Sequence, residues 1–364
     1  MLNENFPVKM FLGRGCLKNN SDLFSDFGKK CLIVTGKSSA ILSGALKDVT
    51  DIFEISCISY EIFDEVEPNP LTLTCKKAGE LAASINADFI LGIGGGSVLD
   101  ASKAIAIFAS NPDLSHSKIY ERAIPSAHLP VILIGTTSGT GSEVTGVSVL
   151  TNADTGLKKS ISGKDCYAEV VFGDYTYTMS TPEDVRISTA LDAFSHAVEA
   201  YLSSTENSDV LYFSSRALSY LKKYITSGSF SLLNDEDYES LYIASVYAGL
   251  AINLAGTCFP HTVGYYLTEN YGIPHGRACA AFFPVFAARA KKYCPERFEA
   301  ILKILDTDEK TLIENIIRVT DINIKIEKSE AQRISLRWKN GVKNFDRTPG
   351  GFTYKDAESA LLSL

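Results

Sequence analysis

Apolar runs in the first half of the chain are short and alternate with stretches of helical spacing. Cys31–Thr35 (CLIVT) reads as a buried strand that ends in a turn at Gly36. Ile58–Phe63 reads as a second strand, with an acidic turn at Asp64–Glu67 and a break at Pro68–Pro70. The pattern then predicts a helix from Leu71 to Ile85 and a strand over Phe89–Ile93 that runs into Gly94-Gly95-Gly96. Ser97 is the expected cap of a helix over Val98–Ala109, and Pro130–Ile134 is the next strand. Such alternation predicts a parallel sheet with helices on both faces. Ser148–Thr151 and Lys159–Ile161, on either side of Asp154-Thr155-Gly156, predict a β-hairpin.

The period changes near Thr178. From Pro182 onward the apolar positions Ile187, Leu191, Phe194, Val198 and Tyr201 recur at three- and four-residue steps, which predicts helix. Val210–Tyr224, Leu241–Ala255, Ala278–Lys292 and Phe298–Leu305 continue the pattern. The expected division is an α/β domain over residues 1–178 and an all-helical domain over residues 179–364, with the site in a cleft between them.

Composition narrows the function. The chain has 364 residues, 45% of them hydrophobic, enough for two cores. A net charge of -8 argues against nucleic acid as a partner, because no basic stripe is available to neutralise phosphates. No apolar run approaches membrane-spanning length, and the N-terminal residues lack the pattern of a signal peptide. Eight scattered cysteines without a CxxC pair read as reduced thiols of a cytoplasmic protein.

Two loops read as cofactor sites. Gly94-Gly95-Gly96-Ser97 follows a buried strand and opens a helix, where backbone N–H groups attract an anion such as a pyrophosphate. Thr136-Thr137-Ser138-Gly139-Thr140-Gly141-Ser142 is a second small-residue loop at a strand end, where open α/β sheets bind ligands. At the end of the first strand, Gly36, Lys37, Ser38 and Ser39 stand where NAD sites carry a carboxylate for the ribose, which favours NADP over NAD. For a metal, Asp192 and His196 are four apart on one helix face. His261 and His275 add two imidazoles, so three of the five histidines fall in these two segments. One carboxylate with three imidazoles suits iron or zinc rather than calcium or magnesium. Singly, each of these histidines reads as an ordinary core or cap residue.

GGGSVLDASKAIA, TTSGTGSEVT, DAFSHAVEAY and HTVGYYLTENYGIPHG occur in that order. In this the chain resembles the iron-containing (group III) alcohol dehydrogenases, and within them a 1,3-propanediol-dehydrogenase-like, NADP-preferring branch. The likeness runs from VTGKSS to NFDRTPGGFT. It implies a Rossmann-like N-terminal domain with a parallel sheet, an all-α metal-binding domain in a dehydroquinate synthase-like architecture, and assembly as a homodimer or larger homo-oligomer. It also places the metal ligands at Asp192, His196, His261 and His275, and the pyrophosphate turn at Gly94, Gly95, Gly96 and Ser97. Asp100 falls near the nicotinamide side, Thr136, Thr137, Ser142 and Lys158 line the cofactor, and Gly36 and Ser39 leave room for a 2′-phosphate. Family members often carry a further histidine where this chain has Tyr265, so Tyr265 becomes a candidate for the proton route. Pro260, just before a ligand, is expected to kink the helix that aims His261.

The implied activity is a metal-dependent, NADP(H)-linked alcohol dehydrogenase or aldehyde reductase for small primary alcohols or diols. Asp100, Tyr265 and His275 are its candidate catalytic residues, and Fe²⁺ is the expected metal, with Zn²⁺ as the alternative. One rival is a lyase or cyclase of the dehydroquinate synthase kind, whose phosphate-bearing substrate needs basic residues; near the ligands the sequence offers mainly Arg277. A phosphonate or polyol aldehyde reductase on the same scaffold is a second.

Overall fold

Successive residues of a strand point to opposite faces of its sheet, and here both faces are buried. In Lys30–Thr35, Cys31 and Ile33 enter one apolar core while Leu32 and Val34 enter another. Phe89, Leu91, Ile93, Ile132 and Ile134 follow the first pair, and Ile90, Val131 and Leu133 the second. That burial explains why these strands read as continuous apolar runs.

The computed structural model describes residues 6–121, 127–231 and 233–364. Its strands are β1 (Lys9–Leu12), β2 (Lys30–Thr35), β3 (Ser59–Phe63), β4 (Phe89–Gly94), β5 (Val131–Gly135), β6 (Val147–Thr151), β7 (Lys158–Ser162) and β8 (Val170–Gly173). Six of them form a parallel sheet in the order β1-β8-β5-β4-β2-β3, and β6 and β7 form an antiparallel hairpin. The helices of this part are α1 (Cys16–Asn19), α2 (Ser39–Leu42), α3 (Ala45–Ile55), α4 (Thr72–Ser84) and α5 (Gly96–Ser110). Helix α3 covers one face of the sheet, while α4 and α5 cover the other. The register pairs Thr35 with Ile93 and Gly94 with Gly135, so the loops leaving β2, β4 and β5 emerge at one edge. Strands β1 and β8 and helices α1, α2 and α3 were not among the predicted elements.

Contacts divide the chain into two compact units. One comprises Met1–Thr137 with Ser142–Thr181, and the other Ser138–Gly141 with Pro182–Leu364. The second is helical: α6 (Glu183–Leu202), α7 (Ser208–Ser227), α8 (Asp235–Ala255), α9 (Phe259–Tyr271) and α10 (His275–Ala280), then further helices from Phe283 to Leu361. Its core gathers Leu191, Phe194, Leu221, Phe259, Phe282 and Phe286, among others. The short segment Ser138–Gly141 belongs with these helices because Gly141 (φ 59°) lies flat on α8. A side chain there would meet the Gly249 Cα at 2.6 Å.

Three local expectations are corrected. The helix expected over Ala278–Lys292 is two helices, α10 and Phe283–Tyr293. Pro284, which has no N–H to donate, sits in the first turn of the second. Pro260 likewise occupies the first turn of α9, so it starts that helix instead of kinking it. Helix α5 begins at Gly96 with Gly95 as its N-cap; Ser97 lies inside the first turn, and its hydroxyl accepts from the Asn69 N–H at 3.2 Å. Among the described residues no single helix is long and apolar enough to cross a membrane.

Candidate metal centre and cofactor loops

Helix α6 carries Asp192, His196 and Glu199 on one face, since steps of four and seven residues nearly complete whole helical turns. All three are buried, at 3%, 6% and 1% exposure. Helix α9 supplies His261 from its first turn, and α10 begins at His275. What brings α10 against α6 is Gly276. A methyl group there would run into the carbonyl oxygen of Ser188 and lie 2.8 Å from the Asp192 nitrogen, so only glycine permits the approach.

Asp192 Oδ1 is the focus. His261 Nε2 lies 3.4 Å from it, His196 Nε2 3.8 Å and His275 Nε2 3.9 Å. The rings of His196 and His261 stack at 4.5 Å, and the Tyr265 ring stacks on His275 at 5.1 Å. His275 is the most open of the ligand candidates, its side chain 27% exposed. Donor atoms of Asp192, His261, His275 and Cys279 all lie within 4.8 Å of one another. Cys279, one turn beyond His275, was not among the sequence candidates; His196 stands just outside this tight group.

Behind His261 lies Glu199. His261 Nδ1 donates to Glu199 Oε1 at 2.6 Å, and Glu199 Oε2 accepts from the Cys258 N–H at 2.7 Å. With Nδ1 so committed, the Nε2 edge of the ring is turned towards Asp192. Asp192 Oδ1 and His261 Nε2 are both buried without a hydrogen-bond partner. Buried polar atoms without hydrogen bonds are costly, and a cation taken up between these two would satisfy both. The residues therefore fit a divalent transition metal.

Electrostatics favour an ionised Asp192. Burial opposes ionisation of Asp192, but the surrounding His196, His261 and His275 outweigh it and hold its carboxyl well below the usual range. Burial lowers the His196 pKa. For His261 burial pulls the same way, yet Cys279, Glu199 and Asp192 leave its pKa well above normal. Burial pushes the Cys279 thiol up to about 11, against the lowering effect of His261.

The cofactor candidates lie along the loop edge of the parallel sheet. Gly94 closes β4, and Gly95 rests against the Thr137 side chain, whose nearest atoms are 3.2 Å from where a Cβ would stand. Thr136 donates its N–H to Gly94 O at 2.9 Å, and its hydroxyl is buried without a partner. Gly36 and Ser39 are half-buried after β2, and Ser38 is exposed. Sequence reasoning missed a neighbour: Lys37 pairs at 3.0 Å with Asp64, at the end of the adjacent strand β3.

Asp100 is engaged within its own unit. Oδ1 accepts from the Ser142 hydroxyl and Oδ2 from Val149 N–H at 2.9 Å. Burial raises its pKa, countered by Lys103, Ser142, Val149 and Lys158. Lys103, wholly buried on α5, donates to the carbonyls of Ser142 (2.7 Å), Thr145 (2.9 Å) and Val147 (2.7 Å). It thereby ties the second loop and the hairpin to the helix. Arg277 is also committed, donating to Val319 O (2.8 Å) and Thr320 O (2.9 Å).

A parallel α/β unit with glycine loops along one edge, followed by a helical unit with a buried Asp–His cluster, is an architecture suited to a dinucleotide and a metal. The chain belongs to the iron-containing alcohol dehydrogenase family: residues 7–175 match the iron-containing alcohol dehydrogenase model and residues 186–332 the family's C-terminal model. It is 30% identical over 314 residues to the sulfoacetaldehyde reductase of Bilophila wadsworthia, spanning 84% of this chain and 80% of that protein. It is 32% identical over 280 residues to the 1,3-propanediol dehydrogenase of Citrobacter freundii, spanning 76% and 72%. The crystal structure of an iron-containing alcohol dehydrogenase from Thermotoga maritima superposes with a TM-score of 0.91 at 32% identity, over the full length of both chains. The protein is thus an oxidoreductase of the alcohol dehydrogenase type.

Proposed function

We propose that this protein is a metal-dependent, NADP(H)-linked alcohol dehydrogenase and aldehyde reductase for small primary alcohols or diols. The balanced reaction is aldehyde + NADPH + H⁺ giving alcohol + NADP⁺. The observation that carries the metal assignment is that Asp192 Oδ1 and His261 Nε2, 3.4 Å apart, are both buried without a hydrogen bond. In this reading Asp192, His196, His261 and His275 hold the ion, iron by family and zinc by donor chemistry as the alternative. When bound, it supplies Lewis acidity to the substrate oxygen, while the nicotinamide supplies or accepts hydride.

The chain's own groups do the rest. Glu199 fixes the tautomer of His261. Tyr265 steadies His275 by stacking and carries the phenol assigned to the proton route. Gly94, Gly95, Gly96 and Ser97 receive the pyrophosphate at the start of α5, with Thr136 and Thr137 beside them. Gly36, Ser38 and Ser39 receive the 2′-phosphate. Asp100, Ser142 and Lys158 brace the loop that lines the nicotinamide.

Neutral substrates are favoured over phosphate- or sulfonate-bearing ones because Arg277, the basic residue next to the ligands in sequence, is spent on backbone carbonyls. The same commitment weakens the lyase reading. Assembly as a homodimer or larger and a cytoplasmic setting complete the proposal; the first rests on family membership, and the second suits cysteines that are all unpaired.

The test is anaerobic oxidation of NADPH and NADH by Fe²⁺-reconstituted protein against a panel of short aldehydes, with metal-stripped protein as control. Metal-dependent turnover favouring NADPH is expected. His275→Ala should lose metal and turnover together and still bind NADPH. Full turnover by metal-stripped protein, or by His275→Ala, would overturn the assignment.

A further inference from the structure

A lysine two turns into the helix that follows a glycine-rich turn reads as a phosphate ligand. Lys103 stands there, seven residues after Gly96 on α5, about 10 Å along the helix axis and on the same face. The structure gives it other work. Lys103 is 0% exposed, and its ammonium donates to the carbonyls of Ser142, Thr145 and Val147 at 2.7, 2.9 and 2.7 Å. An ammonium has three N–H groups and no acceptor, so these oxygens take all of them. The hydroxyls of Ser142 (3.1 Å) and Thr145 (3.4 Å) complete the nest, and Asp100 Oδ1 lies 3.8 Å away. Burial lowers the pKa of Lys103, opposed chiefly by Asp100.

Every one of these contacts falls on a piece of the cofactor cradle. The second small-residue loop is pinned at both ends. At its start Thr136 donates its N–H to Gly94 O at 2.9 Å, and at its end Ser142 meets Lys103. Thr145 and Val147 lead into the hairpin of β6 and β7, which carries Lys158. Asp100, one turn before Lys103, adds a second tie. Its carboxylate accepts from the Ser142 hydroxyl and from Val149 N–H at 2.9 Å, and its carbonyl accepts from Ser148 Oγ at 2.8 Å. One helix, α5, therefore fixes the end of the loop and the hairpin relative to the glycine turn at its own start.

We infer that Lys103 is a positioning residue for the cofactor: without touching NADP(H), it sets the distance from the pyrophosphate turn at Gly94–Ser97 to the loop and hairpin that line the nicotinamide. This rests on the cofactor reading proposed above and deepens it. A neutral side chain at this position leaves three carbonyls without the ammonium, and the end of the loop and the hairpin come away from α5. The nicotinamide half of the cradle is then lost. The pyrophosphate half remains, because Gly94 is held within β4 and by Thr136.

The experiment compares full-length, Fe²⁺-reconstituted wild type with Lys103→Met, which is close in length and uncharged. Dissociation constants are measured for NADPH by fluorescence titration and for 2′-phospho-ADP-ribose, the same cofactor without its nicotinamide, by calorimetry. NADH and ADP-ribose replace the pair if wild type prefers NADH. Expected in the variant are binding of the whole cofactor weaker by about 10- to 100-fold, binding of the fragment within about twofold of wild type, and unchanged metal content. Equal affinity of the two proteins for the whole cofactor overturns the assignment and leaves the cofactor reading standing. So does an equal loss of both ligands. Wild type that binds none of the four overturns both. A second measurement needs no variant: acetylation of lysines, read by mass spectrometry, should leave Lys103 unmodified with and without cofactor. Labelling of Lys103 that the cofactor suppresses would make it a direct ligand and overturn the proposal.

Discussion

Replacing Gly276 with alanine tests the packing on which the candidate metal centre depends. The new methyl group would stand 2.8 Å from the Asp192 nitrogen and from the Ser188 carbonyl carbon, and closer still to the Ser188 oxygen. All three are backbone atoms of α6, so no side-chain rotation relieves the clash. Ordinary carbon contacts need about 3.5 Å, so α10 must retreat by at least about 0.7 Å, carrying His275 away from Asp192. Metal ligands tolerate about 0.2 Å. Overpacking of this kind costs about 1 to 3 kcal/mol, which in a unit of this size lowers the melting temperature by roughly 2 to 10 °C. The assay pairs thermal unfolding of metal-free protein with a chelator competition for bound metal. Expected are the drop in melting temperature and metal affinity at least tenfold weaker. A Gly276→Ala protein that holds metal as tightly as wild type would refute the argument that this glycine sets the spacing of the ligands.

Three further outcomes are expected. Glu199→Gln leaves the Cys258 N–H facing an amide where a carboxylate now accepts, and should weaken metal binding about 10- to 100-fold; affinity within twofold of wild type would remove Glu199 from the site. Asp64→Asn releases Lys37 from an exposed ion pair worth at most about 1 kcal/mol, so the kcat/KM ratio of NADPH over NADH should rise by up to about fivefold; a fall in that ratio would put the 2′-phosphate elsewhere. Burial opposes ionisation of Asp237, but the Lys223 ammonium, the Asn234 N–H and the Tyr224 hydroxyl hold its carboxyl below the usual range. Because the folded pKa is depressed, that stabilisation is complete above the unfolded value of about 3.9 and is lost as pH falls through the folded one. Asp237→Asn should therefore melt lower than wild type at pH 7, by about 1 to 2 kcal/mol of stability, with the gap closing below about pH 4; a gap that widens in acid would contradict the sign.

Local signals carried much of this structure. Strands β2, β4 and β5 are apolar through their centres because both sheet faces are buried, and that leaves a run visible without any partner. The pairing of Asp192 with His196 was legible because a helix repeats every 3.6 residues, and the same rule reaches Glu199 from Asp192 and Cys279 from His275. Those two were overlooked because glutamate on a helix reads as surface and a single cysteine reads as filler.

Other features had no local signature. Strands β1 and β8 are four residues each, and what makes them strands is their pairing across about 160 residues of chain. Asp64 reaches Lys37 only because β2 and β3 lie side by side. Lys103 looks like a solvated helix residue, yet a hairpin folds back over it and its ammonium answers three carbonyls. The focus on Asp192 Oδ1 belongs to the tertiary structure as well, because it needs α6, α9 and α10 to meet, and α10 meets α6 only where Gly276 lacks a side chain. By itself, then, the sequence determined the periodicities, the loop chemistry and the residue types of the site, since each depends on neighbours along the chain. Which donors share one point in space, and which charged groups are spent on the backbone instead, was decided by packing between segments far apart in sequence.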